Sequence, residues 1–185
     1  LIREALDHGQ TLLAENRAQE LRDKAPLLAA HSPAPEWHFI GRLQKNKVKY
    51  VVPWASLIHT VDSFALAEAI AQRAGRPIGV LIQVNTGGDE NTAGVPGTEA
   101  LALAKRVHSL EHISVNGFMT IPPMTEQPED CAPFFAEVHE LAARGRADGL
   151  PTTVLSMGMS GDYRIAIRHG STIVRIGTAI FGARD

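Results

Sequence analysis

The chain has a single cysteine, Cys131, among 185 residues. One thiol excludes an intramolecular disulfide framework and fits a reducing compartment, so a cytoplasmic location is expected. Apolar runs are short. None approaches the roughly 18 residues that a membrane helix requires, and no signal peptide is visible. An excess of one charge is missing too. The formal net charge is −2 and the basic clusters are short, so neither a nucleic-acid surface nor a membrane surface is expected. The eight histidines show no metal-ligand spacing. Internal repeats, linkers and low-complexity segments are absent. What remains is an ordinary globular balance, 44% apolar and 21% charged, at a length that suits one domain. The chain opens on Leu1 rather than Met, in mid-helix by its pattern, and reads as a fragment whose natural start is missing.

Strand-like and helix-like segments alternate. Residues 1–8 read as the end of a helix stopped by Gly9. Strands are predicted at 11–16, 37–41, 56–62, 78–85, 113–121, 152–158 and 172–178. Helices are predicted between them at 17–30, 43–52, 63–74 with Gly75 as C-cap, 97–110, 128–145 and 161–169. The run "IGVLIQVN" (78–85) is nearly all apolar, as a strand buried on both faces should be. Seven strands separated by helices imply a parallel sheet with helices outside it. An open doubly wound sheet and a closed barrel both satisfy that alternation. A helix at the very start demands a strand before it, so the reading adopted is an α/β chain, a (β/α)8 TIM-type barrel with its first strand absent. The whole of 1–185 is taken as one domain.

In such a barrel the chemistry gathers at the C-terminal ends of the strands. Asn16, His38, Asn85, Met119, Thr120, Ser156, Gly158, Arg175, Gly177 and Thr178 fall at or near those ends. The two-residue period of "TIVRIGT" puts Ile173, Arg175 and Gly177 on one face, with Val174 and Ile176 on the other. Arg175 then points into the barrel, where a permanent cation is costly unless something there needs it. That partner is either a structural carboxylate or a ligand. Gly177-Thr178 suits an anion: glycine admits close backbone approach, while exposed amides and the hydroxyl donate. Ser160, in "SMGMSGD" (156–162), is either the N-cap of the next helix or a second phosphate donor. Two such loops on adjacent strands favour a phosphorylated ligand.

Other candidates carry less. His38, between Trp37 and Phe39, also reads as a hydrogen-bonded core residue. The basic stretch "GRLQKNKVK" (41–49) is a solvated helix face about as readily as an anion site. "NTGGDENTAG" (85–94) lacks the G-x-G-x-x-G spacing of dinucleotide binders. Met157 and Met159 read as packing, and Cys131 has no evident base partner.

Six blocks, in order, carry a resemblance that covers essentially the whole chain: "AENRAQE" (14–20), "WHFIGRLQKNK" (37–47), "VLIQVN" (80–85), "NGFMTIPP" (116–123), "LSMGMSGDYRIAI" (155–167) and "STIVRIGTAIFGARD" (171–185). Together they resemble the YggS/PROSC-type pyridoxal phosphate homeostasis proteins, relatives of the alanine racemase barrel. The resemblance implies pyridoxal 5′-phosphate (PLP) as cofactor. Arg175 would face its pyridine nitrogen; a guanidinium only donates, so that nitrogen stays unprotonated and the ring is a weak electron sink. Gly177, Thr178 and Ser160 would hold the phosphate, and Asn16, His38, Met119 and Ser156 would line the ring. The lysine that links the cofactor in this family sits on the strand not present here. None of Lys24, Lys45, Lys47, Lys49 and Lys105 lies at the end of an inward-facing strand.

Three functions follow as alternatives. The first is a PLP-binding protein of intracellular cofactor homeostasis, a monomer that buffers the cofactor or delivers it to PLP-dependent client enzymes without strong catalysis. The second is an amino-acid racemase of the alanine racemase type. It needs a base on each face of the cofactor, typically the lysine and a tyrosine from a second domain, and the chain has only Tyr50 and Tyr163. The third is a barrel enzyme acting on another phosphorylated metabolite, with only His38 and Asp162 as an acid/base pair. The first is expected.

Overall fold

The computed structural model describes residues 1–89 and 92–182. Of the glycine-rich loop 85–94 and the closing block 171–185, residues 90–91 and 183–185 lie outside the described residues. Helix α1 (Ile2–Asp7) leads into β1 (Leu12–Glu15), α2 (Ala18–Leu28), β2 (Glu36–Phe39), α3 (Val48–Val51) and β3 (Ala55–Val61). Then follow α4 (Phe64–Ala71), β4 (Ile78–Asn85), the two-residue β5 (Val95–Pro96), α5 (Gly97–His108), β6 (Ile113–Thr120) and α6 (Ala132–Ala147). The chain continues through β7 (Val154–Met159), α7 (Tyr163–Arg168), β8 (Ile173–Arg175) and α8 (Thr178–Phe181).

All strand pairs are parallel, in the order β1-β2-β3-β4-β6-β7-β8, with β5 on the side of β4. That order fits an open sheet and a barrel equally, and a side-chain contact decides between them. His59 on β3 and Ser156 on β7 are hydrogen-bonded at 2.8 Å, although β4 and β6 lie between their strands. Three strand spacings on a flat sheet amount to roughly 14 Å, more than these two side chains span. The sheet is therefore curled into a nearly closed barrel, with its seam between β1 and β8.

Two apolar layers result. The larger, including Phe39, Ile58, Val80, Ile82, Phe118, Phe135 and Val138, lies between the outer face of the sheet and the helices. The smaller fills the barrel: Leu57, Leu81 and Met119 are buried together, with Val154 and Ile173 packed against them. Strand β7 shows the alternation directly: Leu155 and Met157 join the outer core, while Val154 packs within and Ser156 makes its bonds across the barrel.

Several expected boundaries move. The helix predicted at 43–52 is a 3-10 turn (45–47) followed by the single turn of α3. Gly75 is not a cap: α4 ends at Ala71 with Gln72 as its C-cap in a right-handed conformation, a stop that composition does not mark. Strand β8 ends at Arg175, not at residue 178, and Thr178 opens α8 instead of continuing the strand. Helix α7 starts at Tyr163 with Asp162 as N-cap. The Asp162 carboxylate reaches back to accept the Met159 N–H at 2.6 Å, so Ser160 caps nothing. Met157 is core as expected, but Met159 is 37% exposed.

Candidate functional site

Arg175 is the last residue of β8. As the period-two argument requires, its guanidinium turns into the barrel. It donates to the Ser156 hydroxyl at 2.8 Å and to the Thr120 carbonyl at 2.9 Å. No carboxylate pairs with it directly among the described residues. Burial pushes its pKa down to about 10, and the charge of Asp162 opposes that shift. At neutral pH it is still a cation, held by neutral oxygens. Two bonds use two of five guanidinium protons, which leaves donors for a ligand at the strand ends.

Beneath Arg175 runs a buried polar chain. Ser156 is wholly buried, His59 1% exposed and His38 6% exposed. His59 Nδ1 meets Ser156 Oγ at 2.8 Å, and His59 Nε2 meets His38 Nδ1 at 3.0 Å. His38 Nε2 lies 3.5 Å from the Glu36 carboxylate, whose side chain is 59% exposed. Burial pushes His59 well below the usual histidine range, helped by the nearby His38 and Arg175. Burial lowers His38 as well, although Glu36 pulls the other way. Both rings are neutral at pH 7. Glu36 itself is held below the carboxylate range, first by the Ser56 hydroxyl, which donates to it at 2.7 Å.

A second cluster lies beyond the strand ends. Thr178 Oγ1 and Ser160 Oγ are 3.2 Å apart, and Thr178 is exposed. A side chain added at Gly161 or Gly177 would meet nothing within 4 Å, so the backbone between the two hydroxyls is open to an approaching group. Gly158 is different. Its φ is +94°, and an added Cβ would lie 2.6 Å from Ala166 Cβ and 2.9 Å from Tyr163 Cα. Glycine is needed there to bring the end of β7 against α7.

The structure thus links His38, Ser156 and Arg175 in one chain, and Ser160, Gly177 and Thr178 in one exposed corner. Met119 lies in the same cross-strand register as Ser156 but is packed in apolar surroundings. Asn16 is exposed just past β1, the strand on the far side of the seam. His59 and Glu36 went unpredicted. The alternation of "SLIHTVD" places His59 with Leu57 on one face, a signal that was available. Glu36 lay outside the predicted strand, which starts one residue earlier than expected. His38 and Asp162 do not form an acid/base pair: His38 bonds His59 and faces Glu36, and Asp162 holds a loop amide.

The model of the family "Alanine racemase, N-terminal domain" matches residues 1–185. A pyridoxal phosphate homeostasis protein of Aquifex aeolicus is 44% identical over 188 residues, covering 100% of this chain and 82% of that protein. The chain belongs to the pyridoxal phosphate homeostasis protein family. The human member is 36% identical, with coverage of 100% of this chain and 72% of its own length. Among solved structures, PipY of Synechococcus elongatus with PLP bound superposes with a TM-score of 0.87 at 35% identity, covering 98% of this chain and 86% of that one. Alanine racemase of Corynebacterium glutamicum shares the fold alone, with a TM-score of 0.69 at 20% identity over 90% of this chain and 46% of that one. Among the described residues no helix is long and apolar enough to cross a membrane.

Proposed function

We propose that this chain binds PLP at the C-terminal rim of its barrel and holds it for homeostasis rather than for turnover. The observation that carries the reading is Arg175: a half-buried guanidinium with no carboxylate bonded to it among the described residues and with spare donors, aimed where a ligand acceptor can meet it. The residues fit the cofactor. Arg175 would donate to the pyridine nitrogen, which would then stay unprotonated. Ser160, Thr178 and the open backbone at Gly177 would take the phosphate, while Asn16 would border the ring and Ser156, Met119 and His38 would support its floor. When bound, PLP supplies an electrophilic aldehyde and an electron-withdrawing ring.

A passive role is supported by where the other titratable groups sit. Tyr50 lies on the outside, with Arg22, Lys47 and Lys49 around its ring at 4.9, 5.7 and 5.1 Å. The Tyr163 hydroxyl accepts from its neighbour Arg164. Both histidines of the barrel are neutral; His59 is hydrogen-bonded at both nitrogens and His38 at Nδ1, with Glu36 3.5 Å from its Nε2. The recipients of the cofactor are PLP-dependent client enzymes, served in the cytoplasm by a monomer.

Equilibrium dialysis of the chain against PLP tests this. Loss of a charge-assisted bond in Arg175→Ala should weaken binding about 10- to 100-fold. Gly177→Ala should weaken it while leaving thermal stability unchanged, since its new methyl group meets only space that the phosphate would use. Equal affinity for PLP in wild type and both variants would overturn the reading. So would rapid exchange of the α-proton of alanine in deuterated water, which would favour the racemase.

A further inference from the structure

The buried chain from Glu36 to Arg175 has a direction. Glu36, ionised, only accepts hydrogen bonds; Arg175 only donates. Between them each neutral imidazole offers one donor and one acceptor, so neighbouring tautomers are not independent. The Glu36 carboxylate, 3.5 Å away, favours the tautomer with the proton on His38 Nε2. His38 Nδ1 then accepts, and must receive the proton on His59 Nε2. His59 Nδ1 is left to accept from the Ser156 hydroxyl. With its own proton committed to His59, Ser156 presents lone pairs to the guanidinium of Arg175. Reversing the His38–His59 link alone would set two donors or two acceptors face to face between buried rings, at about 1–3 kcal/mol per unsatisfied group. Reversing the His59–Ser156 link would crowd two donors onto the Ser156 oxygen and leave its own proton unplaced.

The two ends lie at opposite mouths of the barrel. Glu36 is the first residue of β2 and Arg175 the last of β8, in a parallel sheet. The carboxylate is fixed by the hydroxyl of Ser56. We propose that Glu36 is a remote positioning residue: through His38, His59 and Ser156 it sets the proton order that holds the Arg175 guanidinium in its ligand-facing pose. The dependence of cofactor affinity on Glu36 rests on the function proposed above; the proton order itself does not. Glu36 touches no reacting atom, and its effect reaches the far rim only through the order of hydrogens along the chain.

The test uses the full chain, labelled with 15N and free of cofactor, at pH 8, with long-range 1H–15N correlation spectra of the imidazoles. In the wild type His38 and His59 should both be Nε2–H tautomers. Glu36→Lys replaces an acceptor by a donor at a position that is mostly solvent-exposed, so folding is preserved. Both rings should then convert to Nδ1–H. Glu36→Ala, which removes the constraint without reversing it, should give mixed tautomers, and Ser56→Ala should shift them in the same sense by a smaller amount. Unchanged Nε2–H tautomers in Glu36→Lys would overturn the inference whatever the cofactor does.

PLP affinity provides the second arm. Glu36→Lys should weaken it about 3- to 10-fold, the worth of one ordinary hydrogen bond. In an Arg175→Ala background the same substitution should have no further effect. An equal loss in both backgrounds would show that Glu36 acts otherwise than through Arg175. If PLP fails to bind the wild type while the tautomers reverse as stated, the proton order stands and the proposed ligand is wrong.

Discussion

Ser156→Ala removes one oxygen atom and leaves the barrel otherwise filled, which isolates the polar term. Two groups lose their partner: His59 Nδ1 and one guanidinium N–H of Arg175, each 2.8 Å from the hydroxyl. They are not equivalent. His59 is 1% exposed, so its orphaned nitrogen bears the full desolvation cost of about 1–3 kcal/mol. Arg175 keeps the Thr120 carbonyl and is only half-buried, so its loss lies toward the lower end of that range. Together the substitution should cost about 2–4 kcal/mol. For a domain of this size that lowers Tm by roughly 4–16 °C. Calorimetry and urea unfolding of the cofactor-free chain measure it directly. The companion variant is His59→Leu combined with Ser156→Ala, which removes both partners of the bond. It should be less destabilised than the sum of the two single changes, because no unpaired acceptor is left. A loss below about 0.5 kcal/mol for Ser156→Ala, or strict additivity, would refute the idea that this hydroxyl bridges the barrel.

Two further outcomes are expected. Stability should fall on acidification, because burial depresses His38 and His59 below the ordinary value of 6.5 in the fold. Their contribution is complete above that value. It declines as pH drops below it toward the folded pKa values, by at most about 1.4 kcal/mol per pH unit for each ring; denaturant midpoints between pH 8 and 5 check the sign. Gly158→Ala should destabilise by about 2–4 kcal/mol, from a left-handed φ and contact with Ala166 and Tyr163. Gly75→Ala, with no neighbour within 4 Å, should be close to neutral by the same unfolding assay.

Much of this architecture was legible in the residues themselves. Alternation of strand and helix gave the parallel sheet, since periods of 2 and 3.6 are local properties of the backbone. The inward turn of Arg175 followed from that same period, with Ile173 in the interior cluster beside it. Boundaries were less legible. The end of β8 and the start of α7 depend on where backbone amides find acceptors, and the Asp162 carboxylate supplied one that displaced Ser160 from the cap.

The barrel was already the expectation from the helix at the start of the chain and from the resemblance, and the curled sheet bears it out; the chain from Glu36 to Arg175 belonged to the tertiary structure alone. Glu36, His38, His59, Ser156 and Arg175 are spread over 140 positions of sequence, and no local spacing relates them. They meet because curling the sheet brings β3 within reach of β7. A sequence records which faces its side chains take, whereas closure of the sheet decides which of those faces look at one another.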